Sequence, residues 1–511
     1  MPRRMRLMVV LTAICLMLGG SAISAAPPEV AGCTSGSIGV GDAYYPTMGN
    51  GGYDIGHYDL DLDLDVPGGA IADATVAIDA LALVDLCAFN LDFEGLTIDG
   101  ISVNGAPAAY RRWGKELTVT PGATLPAGSV FTVEVRYHGT PLAAGLEPNP
   151  MVTEPASEIG LGGEDPDEFS AGQGSWYVRQ DEIFIFGEPS GHRFWYPVNE
   201  HPADKATYTA TYTVAKPFDV VANGTLVETV DRSNTTTFTW ESRDPMASYL
   251  VMFHAGRLDI EEMTTARGIP VLLSFEENVP EAQREVFRKL PEMVDYAETI
   301  FGPYPFESIG ATVVSDSLGG AALETQTLPV YGSYATGTET ELPAWALEEI
   351  ELTIFHEVAH QWFGNAVSLQ QWSDIWLNEG FAGYSEVLWV EHARGEAARA
   401  EMLDGLTWAG SSPATIGDPG RADIFSGEVY SRGALTLHAL RKEVGDETFF
   451  AILRTWTARY HNGNAATADF IALAEEVSGK ELRPLFDAWL FQPEMPDLEI
   501  GGTALVAFAG G

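Results

Sequence analysis

TIFHEVAHQWFGN, residues 353–365, sets two histidines four positions apart with a glutamate directly after the first. On a helix, His356 and His360 share one face with Cβ atoms about 5–6 Å apart, so both imidazoles can reach one ion at roughly 2.0–2.1 Å. Glu357 leaves from the adjoining flank, off the ion but beside a water bound to it, where a general base is needed. A catalytic zinc requires a third protein ligand and an open position. Nineteen residues past His360, in WLNEGFAGYSE, Glu379 stands where a second helix begins after a loop. Two histidines and one carboxylate leave the fourth position to water. HEVAH alone could be a helix with incidental histidines; Glu379 at this spacing weighs against that. Glu386 lies seven residues further on, two turns along the same face. It could hydrogen-bond a ligand histidine from behind, or be a surface glutamate.

The chain around this stretch has 511 residues, 46% of them hydrophobic, enough for two or three domains with cores of their own. Its start carries three arginines, then an apolar run over 7–18, then small residues ending in SAISAA. That is the layout of a secretory signal, with the mature chain beginning near Ala26. A retained anchor is the competing reading, but the run is shorter than the roughly 20 residues needed to span a bilayer. A secreted or extracytoplasmic protein with no span in its mature part is therefore expected. The net charge of -44 excludes nucleic acid as a partner, because a phosphate backbone calls for a basic surface. Cys15 leaves with the signal, so Cys33 and Cys87 are expected to form a disulfide, two free thiols being the alternative.

From Gly51 to about Leu258 the pattern has period two, most plainly in HYDLDLDLDV, where Leu60, Leu62 and Leu64 share one face and the aspartates face water. Alternate strand positions set Asp59, Asp61, Asp63 and Asp65 in an open row, which reads as a solvated face, with a calcium site as the alternative. Gly, Pro and Asn turns between further β-branched runs predict an antiparallel β domain. The acidic, Gly-rich stretch 154–175 reads as an inserted surface loop. After RGIPVLLSF the periods become helical. The organisation expected is a signal over 1–25, an extension over 26–44, an antiparallel β domain over 45–258, a mostly helical catalytic domain over 259–498 and a tail over 499–511. The fold class is multidomain α+β.

At this point the chain resembles the gluzincin zinc aminopeptidases of the membrane alanyl aminopeptidase and leukotriene hydrolase type. They carry HExxH, eighteen intervening residues and Glu, matched here by HEVAH through NEG with WFGN after the second histidine. GEPSGHRFWYPVNEHPADKATY, GGAALETQT and EVYSRGALTLHAL occupy the places of further family segments, so the likeness runs over nearly all of the mature chain. It implies a saddle-like β domain, a thermolysin-like catalytic domain and one zinc per chain on His356, His360 and Glu379. It also implies that Glu188 and Glu324 hold the α-ammonium of a peptide substrate and that Tyr430 stabilises the oxyanion. Leu323 and Thr325 replace the usual Met and Asn, and Phe186 stands where many members have Gln. The chain ends soon after the catalytic helices, so a short form without the long C-terminal helical domain, and a more open site, are expected.

These implications agree with elementary electrostatics. Two desolvated carboxylates held together gain by accepting a cation, and a substrate amine is that cation. A tyrosine donor aimed at developing negative charge complements zinc; without its motif, Tyr430 would read as a half-buried helix aromatic. The expected activity is removal of N-terminal residues from peptides, with Glu357 activating the attacking water. The rival readings are a thermolysin-like endopeptidase and a catalytically silent peptide-binding homologue.

Overall fold

The computed structural model describes residues 32–142, 174–179, 181–334 and 342–497. The signal-like segment 1–25, most of the insertion 154–175 and the tail 499–511 lie outside them.

HYDLDLDLDV lies in the strand Tyr53–Asp65, where Leu60, Leu62 and Leu64 are buried and Asp59, Asp61, Asp63 and Asp65 are exposed. Each leucine taken out of water contributes about 1.5–3 kcal/mol, which pins the register of the strand. It sits inside an eight-stranded sheet, flanked by Ala206–Ala215 on one side and Ala70–Ala82 on the other. Ala70–Ala82 is antiparallel to it as alternation suggested, but Ala206–Ala215 runs parallel, pairing Thr207 with His57 through Val214 with Leu64. Alternation reports which face is buried and is silent on strand direction. A parallel neighbour needs a long crossover, and here the chain between residues 66 and 205 provides it. The aspartate row belongs to neither of the two groupings of candidate metal ligands found among the described residues.

The extension is laced into the rest of the molecule. Thr34–Ser35 pairs with Leu86–Asp92, and Cys33 is disulfide-bonded to Cys87. Further along, buried Asp42 accepts hydrogen bonds from the backbone N–H groups of Tyr44 at 2.7 Å, Tyr45 at 3.2 Å and Trp372 at 2.8 Å. Burial opposes its charge, but the side chain of His201 and these N–H groups outweigh it and keep the carboxyl below its ordinary range.

The catalytic part begins with strands rather than helices. A five-stranded sheet runs in the order Leu258–Thr264, Pro270–Glu276, Ile309–Val313, Val330–Tyr331, Ala322–Leu323. Ile309–Val313 is buried at every position, so it shows no alternation and was not legible as a strand. Helices follow. Ala344–His360 begins after Pro343, and Trp376–Arg394 ends at Gly395, whose φ of 85° suits glycine. Among the described residues no helix is long and apolar enough to cross a membrane.

The disulfide closes a loop of 54 residues. Replacing both Cys33 and Cys87 by serine is expected to lower the unfolding free energy by about 2–4 kcal/mol in a urea titration.

Candidate active site

His356 and His360 leave the last two turns of helix Ala344–His360 with ring centroids 4.8 Å apart. Glu379, in the first turn of helix Trp376–Arg394, brings Oε2 to 3.4 Å from His356 Nε2 and 3.6 Å from His360 Nε2. The other ring nitrogens face away from this point. His356 Nδ1 is 2.7 Å from Glu386 Oε1, and His360 Nδ1 is 3.0 Å from the Phe363 carbonyl. With Nδ1–H donating backward, each imidazole presents the lone pair of Nε2 toward Glu379. A tetrahedral ion with bonds of roughly 2.0–2.1 Å holds its ligand atoms about 3.4 Å apart. The donor set therefore fits zinc in both chemistry and spacing. Glu386 is the partner that orients His356.

Glu357, Glu324 and His360 form a second, overlapping group of converging atoms. Burial disfavours charge on every carboxylate here, and their neighbours then separate them. Glu379, although buried, is held down at about 2 by His360 and His356. Glu357 is pushed up to about 8, by burial first and then by Glu324 and Glu379, against the pull of both histidines. Burial and the charge of Glu379 raise Glu324 against the pull of His360, while burial and the charges of Glu324, Glu379 and Glu357 raise Glu188 well above the carboxylate range. Glu188 Oε1 is buried and has no hydrogen-bond donor among the described residues. Glu188 and Glu324 thus lie within electrostatic reach of each other in the space beside the metal donors, and Glu188 Oε1 has spare capacity for a cation. Tyr430 reaches the same space from helix Gly427–Val444, its ring stacked at 22° and 6.1 Å from His356. Burial and the surrounding carboxylates raise its phenol well above the ordinary value, so it stands as a proton-bearing donor.

Several residues of this site carried no sequence signal of their own. Tyr249 donates to Glu324 Oε1 at 3.1 Å from a short 3₁₀ turn. Gln361 and Asn365 donate side-chain amide hydrogens to the Glu324 carbonyl at 3.1 and 2.7 Å. Both lie in the stretch that opened the sequence reading, where only the histidines and Glu357 had a spacing to interpret. Gly380 and Gly433 let helix Gly427–Val444 press onto Trp376–Arg394: a Cβ on Gly433 would meet Gly380 Cα at 2.6 Å. Gly380 adjoins Glu379 and Gly433 lies one turn past Tyr430, so this contact sets the distance between a metal ligand and the tyrosine.

Glu386→Gln keeps the shape but removes the strong acceptor behind His356, and zinc affinity is expected to fall about 10–100-fold in competition with a chelator. Gly433→Ala should force the two helices apart, costing about 1–3 kcal/mol of stability in denaturant unfolding and displacing Tyr430. Its turnover should fall more than its metal content, measured on the same sample.

Residues 286–489 match the Peptidase family M1 domain. Among curated relatives, glutamyl aminopeptidase of Bitis rhinoceros is 29% identical over 331 residues, which is 61% of this chain and 34% of that protein. Human glutamyl aminopeptidase is 29% identical over 332 residues, covering 62% and 34%. The chain thus spans about a third of the length of these relatives. A solved M1 zinc metallopeptidase from Deinococcus radiodurans superimposes with a TM-score of 0.77 at 27% identity, over 91% of this chain and 100% of that one. A β-rich half followed by a helical half is thus shared over nine-tenths of the chain with a solved M1 zinc metallopeptidase, and the catalytic region 286–489 matches the Peptidase family M1 domain.

Proposed function

We propose that this protein is an exported aminopeptidase that carries one zinc per chain and hydrolyses the first peptide bond of substrates with a free N-terminus. The observation that carries the reading is the pair Glu188 and Glu324, each raised by burial and by neighbouring carboxylates, with Glu188 Oε1 lacking a donor among the described residues, next to the metal donors. An α-ammonium between them would relieve both effects, and it would fix the chain end so that only the first carbonyl reaches the metal donors. Support for a peptide substrate comes from the Deinococcus relative, whose structure has been solved with a Tyr-Ser-Ala substrate. Support for export comes from the arginine-led apolar start of the chain.

Held by His356, His360 and Glu379, zinc would supply Lewis acidity to a water and to the scissile carbonyl. The remaining work falls to the protein. Glu357 stands beside His356 and His360 and takes the proton of the attacking water; its buried, raised carboxyl then returns that proton to the leaving amine. The Tyr430 hydroxyl donates toward the carbonyl oxygen as negative charge develops there. Glu386 keeps the His356 ring turned so that Nε2 faces inward.

Glu357→Gln should keep its zinc and lose most turnover, because the base is gone and the ligands remain. Glu324→Ala should lower kcat/KM on free-amine aminoacyl amides by about 2–5 kcal/mol at unchanged zinc content. Wild-type enzyme is expected to leave N-acetylated peptides almost uncut. Comparable rates on acetylated and free peptides would point to an endopeptidase, and absence of turnover on both to a peptide-binding homologue.

A further inference from the structure

The segment that carries Glu188 ends in Lys205, immediately before strand Ala206–Ala215 of the large sheet. This lysine crosses from the β half to the loop that follows the metal-site helix. Its Nζ donates to the carbonyl of Asn365 at 2.7 Å and to that of Ala366 at 3.3 Å. Asn365 then donates from its amide side chain to the Glu324 carbonyl at 2.7 Å, and from its backbone to the His360 carbonyl at 3.0 Å. Gln361 gives the Glu324 carbonyl a second donor and accepts from the Thr327 N–H at 2.9 Å. A continuous run of hydrogen bonds therefore joins the β sheet to the backbone of Glu324.

Space-filling does not account for a lysine here. An ammonium on a half-buried side chain set against two neutral carbonyls is costly, and desolvation pulls its proton affinity down to about 7, with Asp244 supplying the opposing charge. An apolar side chain would fill the same volume at lower cost, but it would leave the Ala366 carbonyl without a donor among the described residues and the Asn365 carbonyl with only the Ser368 hydroxyl at 3.2 Å. On the other side of the loop, Gly364 has φ 120° and packs so closely that a Cβ would lie 3.2 Å from Asn378 and 3.3 Å from His360. The loop is confined on that side by the metal ligand and on this side by Lys205.

We propose that Lys205 is a positioning residue for the substrate amine: by fixing the Asn365 carbonyl it holds the Asn365 amide on Glu324, and so seats the Glu324 carboxylate opposite Glu188. This rests on the aminopeptidase reading, since only a substrate with an α-ammonium uses that seat. Lys205 touches neither the metal donors nor the scissile bond, so its removal should weaken recognition of the amine selectively.

A matched pair of hydroxamates, one with a free α-amine and one without, separates these effects, because both bind through the metal and only one uses the carboxylate pair. In Lys205→Met the affinity advantage of the amine-bearing compound should shrink by on the order of tenfold, with the other compound held within about twofold and zinc content unchanged. Lys205→Arg, which again offers donors to two carbonyls, should recover most of the advantage. Equal weakening of both compounds, or an unchanged ratio in the folded variant, overturns the proposal. Should Lys205→Met fail to fold, Lys205→Gln keeps a neutral, shorter amide donor and should show a smaller loss of the same selective kind; an unchanged ratio there overturns the proposal equally. A wild-type enzyme without any advantage for the amine-bearing compound would bring down the aminopeptidase reading itself, and the role of Lys205 with it.

Discussion

Two imidazole nitrogens and one carboxylate oxygen must meet around a common point although they are carried by different helices, and much of the catalytic half is arranged by that requirement. Spacing within helix Ala344–His360 aligns the two rings. Everything else is tertiary. Glu379 arrives because Trp376–Arg394 packs against the first helix, and Glu386, two turns on, turns the His356 ring inward. A third helix adds Tyr430 at a distance limited by backbone contact between Gly380 and Gly433. The absence of two Cβ atoms therefore decides how near a proton donor stands to a metal ligand.

The same convergence creates an electrostatic problem. Glu188, Glu324, Glu357 and Glu379 lie within electrostatic reach of one another in a largely desolvated region, and like charges in low dielectric cannot all ionise freely. Geometry distributes the load unevenly. The histidines hold Glu379 ionised, while Glu357, Glu324 and Glu188 are pushed upward. One carboxylate is thus suited to binding a metal, one to moving a proton and two to receiving a cation. The identical side chain is held down at one position and raised at three because its surroundings differ.

Glu188 and Glu324 come from opposite halves of the molecule, so the interface between halves decides how they are placed. Asp42 of the extension bonds to Trp372 just ahead of helix Trp376–Arg394, and Asn223 donates to the Gln326 carbonyl two residues past Glu324. Lys205 reaches the loop beyond His360. These are hydrogen bonds to backbone groups rather than apolar contacts, and they fix direction as well as separation. A loosened interface would move Glu188 relative to Glu324 without touching the metal ligands.

Local periodicity was enough to read the leucine face of Tyr53–Asp65 and the helix pairing His356 with His360, because each depends on fixed spacing along one element; Glu379, on another helix, was read from its distance along the chain. Glu188, Glu324 and Tyr430 were reached only through resemblance to known segments, since no spacing relates residues more than a hundred positions apart. Strand direction escaped, as the parallel pairing of Tyr53–Asp65 with Ala206–Ala215 illustrates, because side-chain alternation is the same in either orientation. The fully buried strand Ile309–Val313 escaped for want of a polar face. Tyr249, Gln361, Asn365, Lys205 and the glycine contact were decided by tertiary structure alone: each acts through a partner distant in sequence, and a hydrogen bond or a backbone approach leaves no periodic trace in the chain that makes it.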